Sequence, residues 1–166
     1  MKRWYAAYTH AREEILALEN LRRQGFAAYL PRYLKRRRHA RRTDWVAAPL
    51  FPRYMFVELD IETRPWRAVR STVGIASLVT QGDRPAPVPE SAIAAIRARE
   101  DVRGLVALND GWIAGGAKVR IEEGPFADFE GVFDCATDDE RVIVLLDLLG
   151  RQVRARVPFG AVTALA

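Results

Sequence analysis

Apolar and polar positions fall into two regimes along this chain. Between Pro49 and Val57 the order is Pro-Leu-Phe-Pro-Arg-Tyr-Met-Phe-Val, with Arg53 the one charged residue. In an extended strand successive side chains alternate faces, so Tyr54 and Phe56 point one way and Met55 and Val57 the other. Neither face is polar. Such a strand is either enclosed on both sides, or it covers a core on one side and offers aromatic rings to a partner on the other. The second alternative is favoured here.

Around this run the first hundred residues alternate element types. Arg3 to Tyr8 predicts a strand with Trp4, Ala6 and Tyr8 on one face. Ala11 to Gln24 predicts a helix with an apolar stripe at Ala11, Ile15, Leu18 and Leu21, stopped by Gly25. Phe26 to Leu30 reads as a short strand, Tyr33 to Val46 as a basic β-hairpin with its tip near Arg37 to Arg41, and Trp66 to Arg70 as a short helix. Ile75 to Val79 reads as a strand. Pro89 opens a helix to about Glu100, with Ile93 and Ile96 inward. An antiparallel sheet flanked by helices makes this an α+β domain over residues 1–104.

From Asp101 to Gly116 no period survives, and four of the chain's eleven glycines (Gly104, Gly111, Gly115 and Gly116) fall there. Residues 105–116 therefore read as a flexible linker carrying Trp112. Residues 117–166 then look all-β. Lys118 to Ile121 alternates, Glu123-Gly124-Pro125 turns, Gly131-Val132-Phe133 resumes, Arg141 to Leu148 is apolar, and Gln152 to Val157 alternates strictly. That pattern suggests a small five-stranded barrel. Val142, Leu145, Leu146 and Leu149 also match a helical i, i+3, i+4, i+7 face. The β-branched Val142-Ile143-Val144 and the alternation at Val153, Ala155 and Val157 favour a permanent barrel.

Charge sharpens the division. Residues 1–104 carry 20 Lys and Arg against 11 Asp and Glu, a net of +9, whereas residues 105–166 carry 6 against 10, a net of −4. Seven of the basic residues (Arg32, Lys35, Arg36, Arg37, Arg38, Arg41 and Arg42) lie between positions 32 and 42, where no acidic residue intervenes. A single concentrated patch fits a nucleic-acid contact better than general basicity does. Phosphate contacts of this kind position a strand without reading its sequence.

The hydrophobic fraction of 49% and charged fraction of 28% are those of a soluble protein. No apolar run is long enough to span a bilayer, so no membrane contact is expected, and Met1 to Tyr5 lacks the apolar core of a signal peptide. The single cysteine, Cys135, fits a reducing compartment and a buried position. With two histidines at 10 and 39, no phosphate loop and no metal-ligand spacing, no catalytic residue, metal or cofactor is expected. A cytoplasmic monomer that is not an enzyme is the expectation.

Trp4-Tyr5 opening the first strand, Leu30-Pro31 ending an early one, the Pro49 to Val57 run, and Gly124-Pro125-Phe126-Ala127-Asp128-Phe129-Glu130-Gly131 together carry a resemblance. The chain resembles the NusG/RfaH family of bacterial transcription elongation factors over nearly its whole length. The resemblance implies an N-terminal NGN domain that docks on the clamp helices of RNA polymerase and suppresses pausing. It also implies a C-terminal KOW barrel that recruits a ribosomal protein or Rho.

On this basis the polymerase-binding patch is expected at Tyr8, Leu50, Phe51, Pro52, Tyr54 and Phe56. The basic hairpin is expected near non-template DNA or nascent RNA. In specialised RfaH-like members a surface beside the first helix touches the displaced strand; His10, Arg12, Arg23, Arg70, Ser71 and Thr72 fall on it here. Val73 stands there where the best-known specific reader has a basic residue. Pro125 and Phe126 mark the expected second-partner contact. Such members can also hold the second domain as a helical hairpin over the polymerase site. Leu50 beside Phe51 looks like the specialised branch, which is the one favoured, whereas Trp66, Val69-Arg70-Ser71 and the Phe126 and Phe129 tip look like the housekeeping form. The alternative is a KOW-type RNA-binding or ribosome-associated protein.

Overall fold

The computed structural model describes residues 1–108, 132–133, 135 and 137–150. Strand β1 (Arg3–Thr9) lies at the centre of a five-stranded sheet. It pairs antiparallel with β5 (Tyr54–Leu59), β6 (Ile75–Leu78) and β9 (Pro87–Val88), while β2 (Ala27–Tyr29) flanks β5. The β1–β5 register sets Ala6 opposite Phe56, Ala7 opposite Met55 and Tyr8 opposite Tyr54. Alternation then sorts the side chains as the sequence predicts. Tyr5, Ala7, Met55 and Val57 enter one apolar cluster, and Trp4, Ala6, Tyr54 and Phe56 enter the other.

Helix α1 (Glu14–Arg23) closes the first cluster with Ala17, Leu18 and Leu21. The expected stripe was wrong at its start. Ala11 and Ile15 are exposed, because Arg12 has a positive φ of 64° and delays the helix to Glu14, turning Ala17 inward instead. Ala17 in turn lies against Gly74: a Cβ there would approach the Ala17 backbone within 2.8 Å, and Gly74 has φ +95°. Helix α2 (Arg67–Arg70) covers the edge of the same cluster through Val69.

The hairpin is longer than expected. Strands β3 (Arg32–His39) and β4 (Arg42–Pro49) pair along their full length. Their tip is Ala40-Arg41, with φ values of 47° and 65°, as a two-residue primed turn requires. The short β7 (Thr80–Gln81) and β8 (Arg84–Pro85) form a second hairpin. Helix α3 (Glu90–Ala98) follows Pro89 and buries Ile93 and Ile96 on the second face, as predicted. The expected linker is not free at its start. The Val106 amide donates to the Arg32 carbonyl at 2.7 Å, and Glu100 pairs with Val106. Its remainder, with Trp112, lies outside the described residues.

The largest departure comes after Thr137. The expected strand over Arg141 to Leu148 is instead helix α4 (Asp138–Leu148), and Val132 and Phe133, also expected in a strand, are helical. Thr137 and Glu140 form a capping box: the Glu140 amide donates to the Thr137 hydroxyl at 3.2 Å and the Thr137 amide to the Glu140 carboxylate at 3.1 Å. Asp138, Asp139 and Glu140 place negative charge on the first turn, where the helix dipole favours it. The β-branched run costs a few tenths of a kcal/mol per residue. Burial of Val144, Leu145, Leu146 and Leu149 against the sheet outweighs that. The other strands expected of a barrel fall outside the described residues.

Candidate functional site

The face of the sheet bearing Tyr54 and Phe56 carries most of the aromatic residues picked out from the sequence. The turn before β5 places them there. The Leu50 amide donates to the Pro31 carbonyl at 2.8 Å, and the Tyr54 amide donates to the Phe51 carbonyl at 2.9 Å. Arg53, at φ 70°, swings its guanidinium to 4.2 Å from the centre of the Tyr8 ring. Tyr8 and Tyr54 sit 5.0 Å apart between ring centres, and Phe51 meets Phe56 edge-on at 6.0 Å. Tyr29 extends the row, 6.4 Å from Phe56.

Leu50, Phe51 and Phe56 are fully buried and Tyr54 nearly so; Tyr8 and Pro52 are partly covered. They are not covered by the first domain alone. Val132, Phe133, Cys135 and the inner side of α4 join α3 in the same apolar cluster. Phe133 is held under the Arg99 guanidinium, 4.1 Å from its ring centre.

A polar clasp fixes α4 at one edge. Arg141 is 1% exposed. Its Nε donates to the Leu50 carbonyl at 3.0 Å and its Nη1 to the Cys135 carbonyl at 3.1 Å, and Nη2 pairs with Asp138. The same guanidinium lies 4.7 Å over the Tyr33 ring. Asp138 also accepts from the Tyr33 hydroxyl and from Lys35 Nζ, both at 2.5 Å. Burial, then the bond to Asp138, pushes the Tyr33 phenol up to about 12. Sequence reasoning passed over Tyr33 and Arg141. The signal for α4 was present in Thr137-Asp138-Asp139-Glu140, a helix-start pattern directly ahead of the apolar run.

The expected nucleic-acid residues fall in two places. On the hairpin, Arg36, Arg38, Arg41 and Arg42 are exposed, Arg37 is paired with Asp44 at 2.9 Å, and Lys35 is taken up by Asp138. The second group gathers where α1 meets the segment before Gly74. The His10 amide donates to the Gly74 carbonyl at 2.9 Å, and the Asn20 side chain donates to the Val73 carbonyl at 3.3 Å. His10, Arg12, Arg23, Arg70 and Ser71 are exposed on this side. Thr72 is not: it is buried, its hydroxyl donating to the Ala68 carbonyl at 2.8 Å and accepting from Gln24 at 2.7 Å. It supports the segment rather than offering a contact. Pro125 and Phe126 lie outside the described residues. Among the described residues no three His, Cys, Asp or Glu side chains converge, and no helix is long and apolar enough to cross a membrane.

The family model for NusG, described as transcription termination factor NusG, matches residues 2–97. The chain belongs to the NusG family. It is thus a NusG-type transcription termination/antitermination factor. The transcription termination/antitermination protein NusG of Thermus thermophilus is 29% identical over 96% of each chain. That of Staphylococcus aureus (strain Mu50) is 28% identical, covering 99% of this chain and 96% of the relative. A solved structure of Thermotoga maritima NusG, titled for its domain interaction, is 26% identical with a TM-score of 0.39, covering 75% of this chain and 67% of that one.

Proposed function

We propose that this NusG-family protein docks on the clamp helices of RNA polymerase through Tyr8, Leu50, Phe51, Pro52, Tyr54 and Phe56, and in doing so suppresses pausing. The observation that carries the reading is who covers that face. Helix α4 (Asp138–Leu148), beyond the part matched by the family model, supplies the cover together with Val132, Phe133 and Cys135. An apolar aromatic face closed by a separate segment, and clasped at a single buried arginine, has the makings of a reversible contact. Tyrosines suit a docking surface, since each buries a large ring and keeps a polar hydroxyl.

In this reading α4 holds the docking face shut, and polymerase binding requires it to leave. The helical form of Asp138–Leu148 supports the specialised, RfaH-like branch. Once released, the second domain recruits a ribosomal protein or Rho, with Pro125 and Phe126 at the contact. The basic hairpin lies along non-template DNA or nascent RNA.

Tyr54→Ala tests the docking face. In a fragment ending at Leu108, which keeps the Arg32–Val106 bond, the substitution should weaken binding to a polymerase elongation complex by about 2 kcal/mol, roughly 30-fold. Unchanged affinity in a folded variant would mean that these rings serve only as core.

A further inference from the structure

The hairpin has two unlike faces. Tyr33 and Lys35 on β3, with Val46 and Ala48 on β4, turn towards α4, and each but Lys35 is buried or partly covered. The opposite face carries Leu34, Arg36 and Arg38 from β3 and Thr43, Trp45 and Ala47 from β4, all exposed. Trp45 stands directly across from Arg36 and is 60% exposed. No guanidinium stacks on its ring among the described residues, although seven other aromatic rings there carry one within 6 Å. Arg36 and Arg38 have no carboxylate partner among the described residues, in contrast to Arg37 with Asp44 and Lys35 with Asp138. They project from the same face about 7 Å apart along the strand.

We infer that this outer face binds an unpaired DNA strand, with a base stacked on Trp45 and the flanking phosphates on Arg36 and Arg38. An open indole ring beside cations that have no carboxylate partner among the described residues is what a single strand needs: a π surface for any base, and charge for the backbone. A duplex cannot use the ring, because its bases are already stacked. The Thr43 hydroxyl and the Trp45 indole N–H are the only uncharged hydrogen-bonding side-chain groups on the face, and the indole is a donor alone, so little there reads a ribose 2′-hydroxyl. The inference deepens the proposal that the hairpin meets nucleic acid. It adds base stacking to what was a phosphate contact alone.

The test uses the full-length protein and a short fluorescein-labelled single-stranded DNA of mixed sequence, read by anisotropy across a salt series. Trp45→Ala should weaken binding roughly tenfold with an unchanged salt slope, and Trp45→Phe should restore most of it. Arg36→Gln combined with Arg38→Gln should lower the slope of log K against log salt by about 1.4. On an abasic strand, or on the matching duplex, Trp45→Ala should change nothing. If the arginine variant weakens binding and Trp45→Ala does not, the hairpin still meets nucleic acid and the stacking inference falls. If neither weakens it, both fall together. A Trp45→Ala loss of equal size on the abasic strand or the duplex contradicts stacking, and roughly tenfold tighter binding of the matching RNA contradicts DNA as the occupant.

Discussion

Replacing Arg141 with methionine keeps much of the side-chain volume and removes every polar contact that the guanidinium makes. The Leu50 carbonyl, on a fully buried residue, loses the donor at 3.0 Å, and the Cys135 carbonyl loses the one at 3.1 Å. A buried acceptor left without a donor costs roughly 1–3 kcal/mol. Breaking a buried ion pair costs about 3–5 kcal/mol. Asp138 does not bear that full penalty, because it keeps Lys35 and Tyr33 and remains 18% exposed. A net loss of about 3 kcal/mol in the attachment of α4 follows, or two orders of magnitude in its opening equilibrium. Hydrogen exchange reads this directly. Amides of Asp138–Leu148 should lose about a hundredfold in protection while those of β1 and β5 keep theirs. Unchanged protection in α4 would refute the clasp, and equal loss in β1 would mean that Arg141 supports the whole domain instead.

Tyr33 gives the clasp an alkaline limit. An unfolded tyrosine ionises near 10, whereas Tyr33 holds its proton up to about 12, so the stability it lends is whole below pH 10 and drains away as pH rises towards 12. Tyr33→Phe should flatten that part of the loss of α4 helicity, followed by circular dichroism; an identical alkaline profile would remove Tyr33 from the account. Gly74→Ala should destabilise the first domain by about 2–4 kcal/mol in a denaturant titration, because a Cβ at φ +95° meets the Ala17 backbone. A variant within about 0.5 kcal/mol of the parent would show that α1 shifts freely there.

The first domain was legible because its signals agree with one another. Alternation in Arg3–Thr9 and Tyr54–Leu59, Gly25 after α1 and Pro89 before α3 all mark elements that packing preserves. The slip at Ala11 and Ile15 has a local cause, the positive φ of Arg12, which no periodicity reveals. The α4 segment was harder because its apolar positions satisfy both periods. Val142-Ile143-Val144 favours a strand, and what decides for a helix lies partly elsewhere: the aromatic face beside Leu50, 91 residues from Arg141, which the helix covers while bringing Arg141 to the Leu50 carbonyl. Thr137 to Glu140 was the local clue. Thr72 shows the limit of placing a site by sequence alone. It falls within the expected segment, but it is buried, with a bond to Gln24, 48 residues away.

The proposal that α4 covers a polymerase-docking face is tested most directly by comparing the full-length protein, the Arg141→Met variant and the fragment ending at Leu108 for binding to an RNA polymerase elongation complex. The account predicts that the fragment binds tightest, that Arg141→Met moves the full-length chain towards it, and that Tyr54→Ala weakens all three. Full-length protein binding as tightly as the fragment, with Arg141→Met making no difference, would contradict a docking face closed by α4.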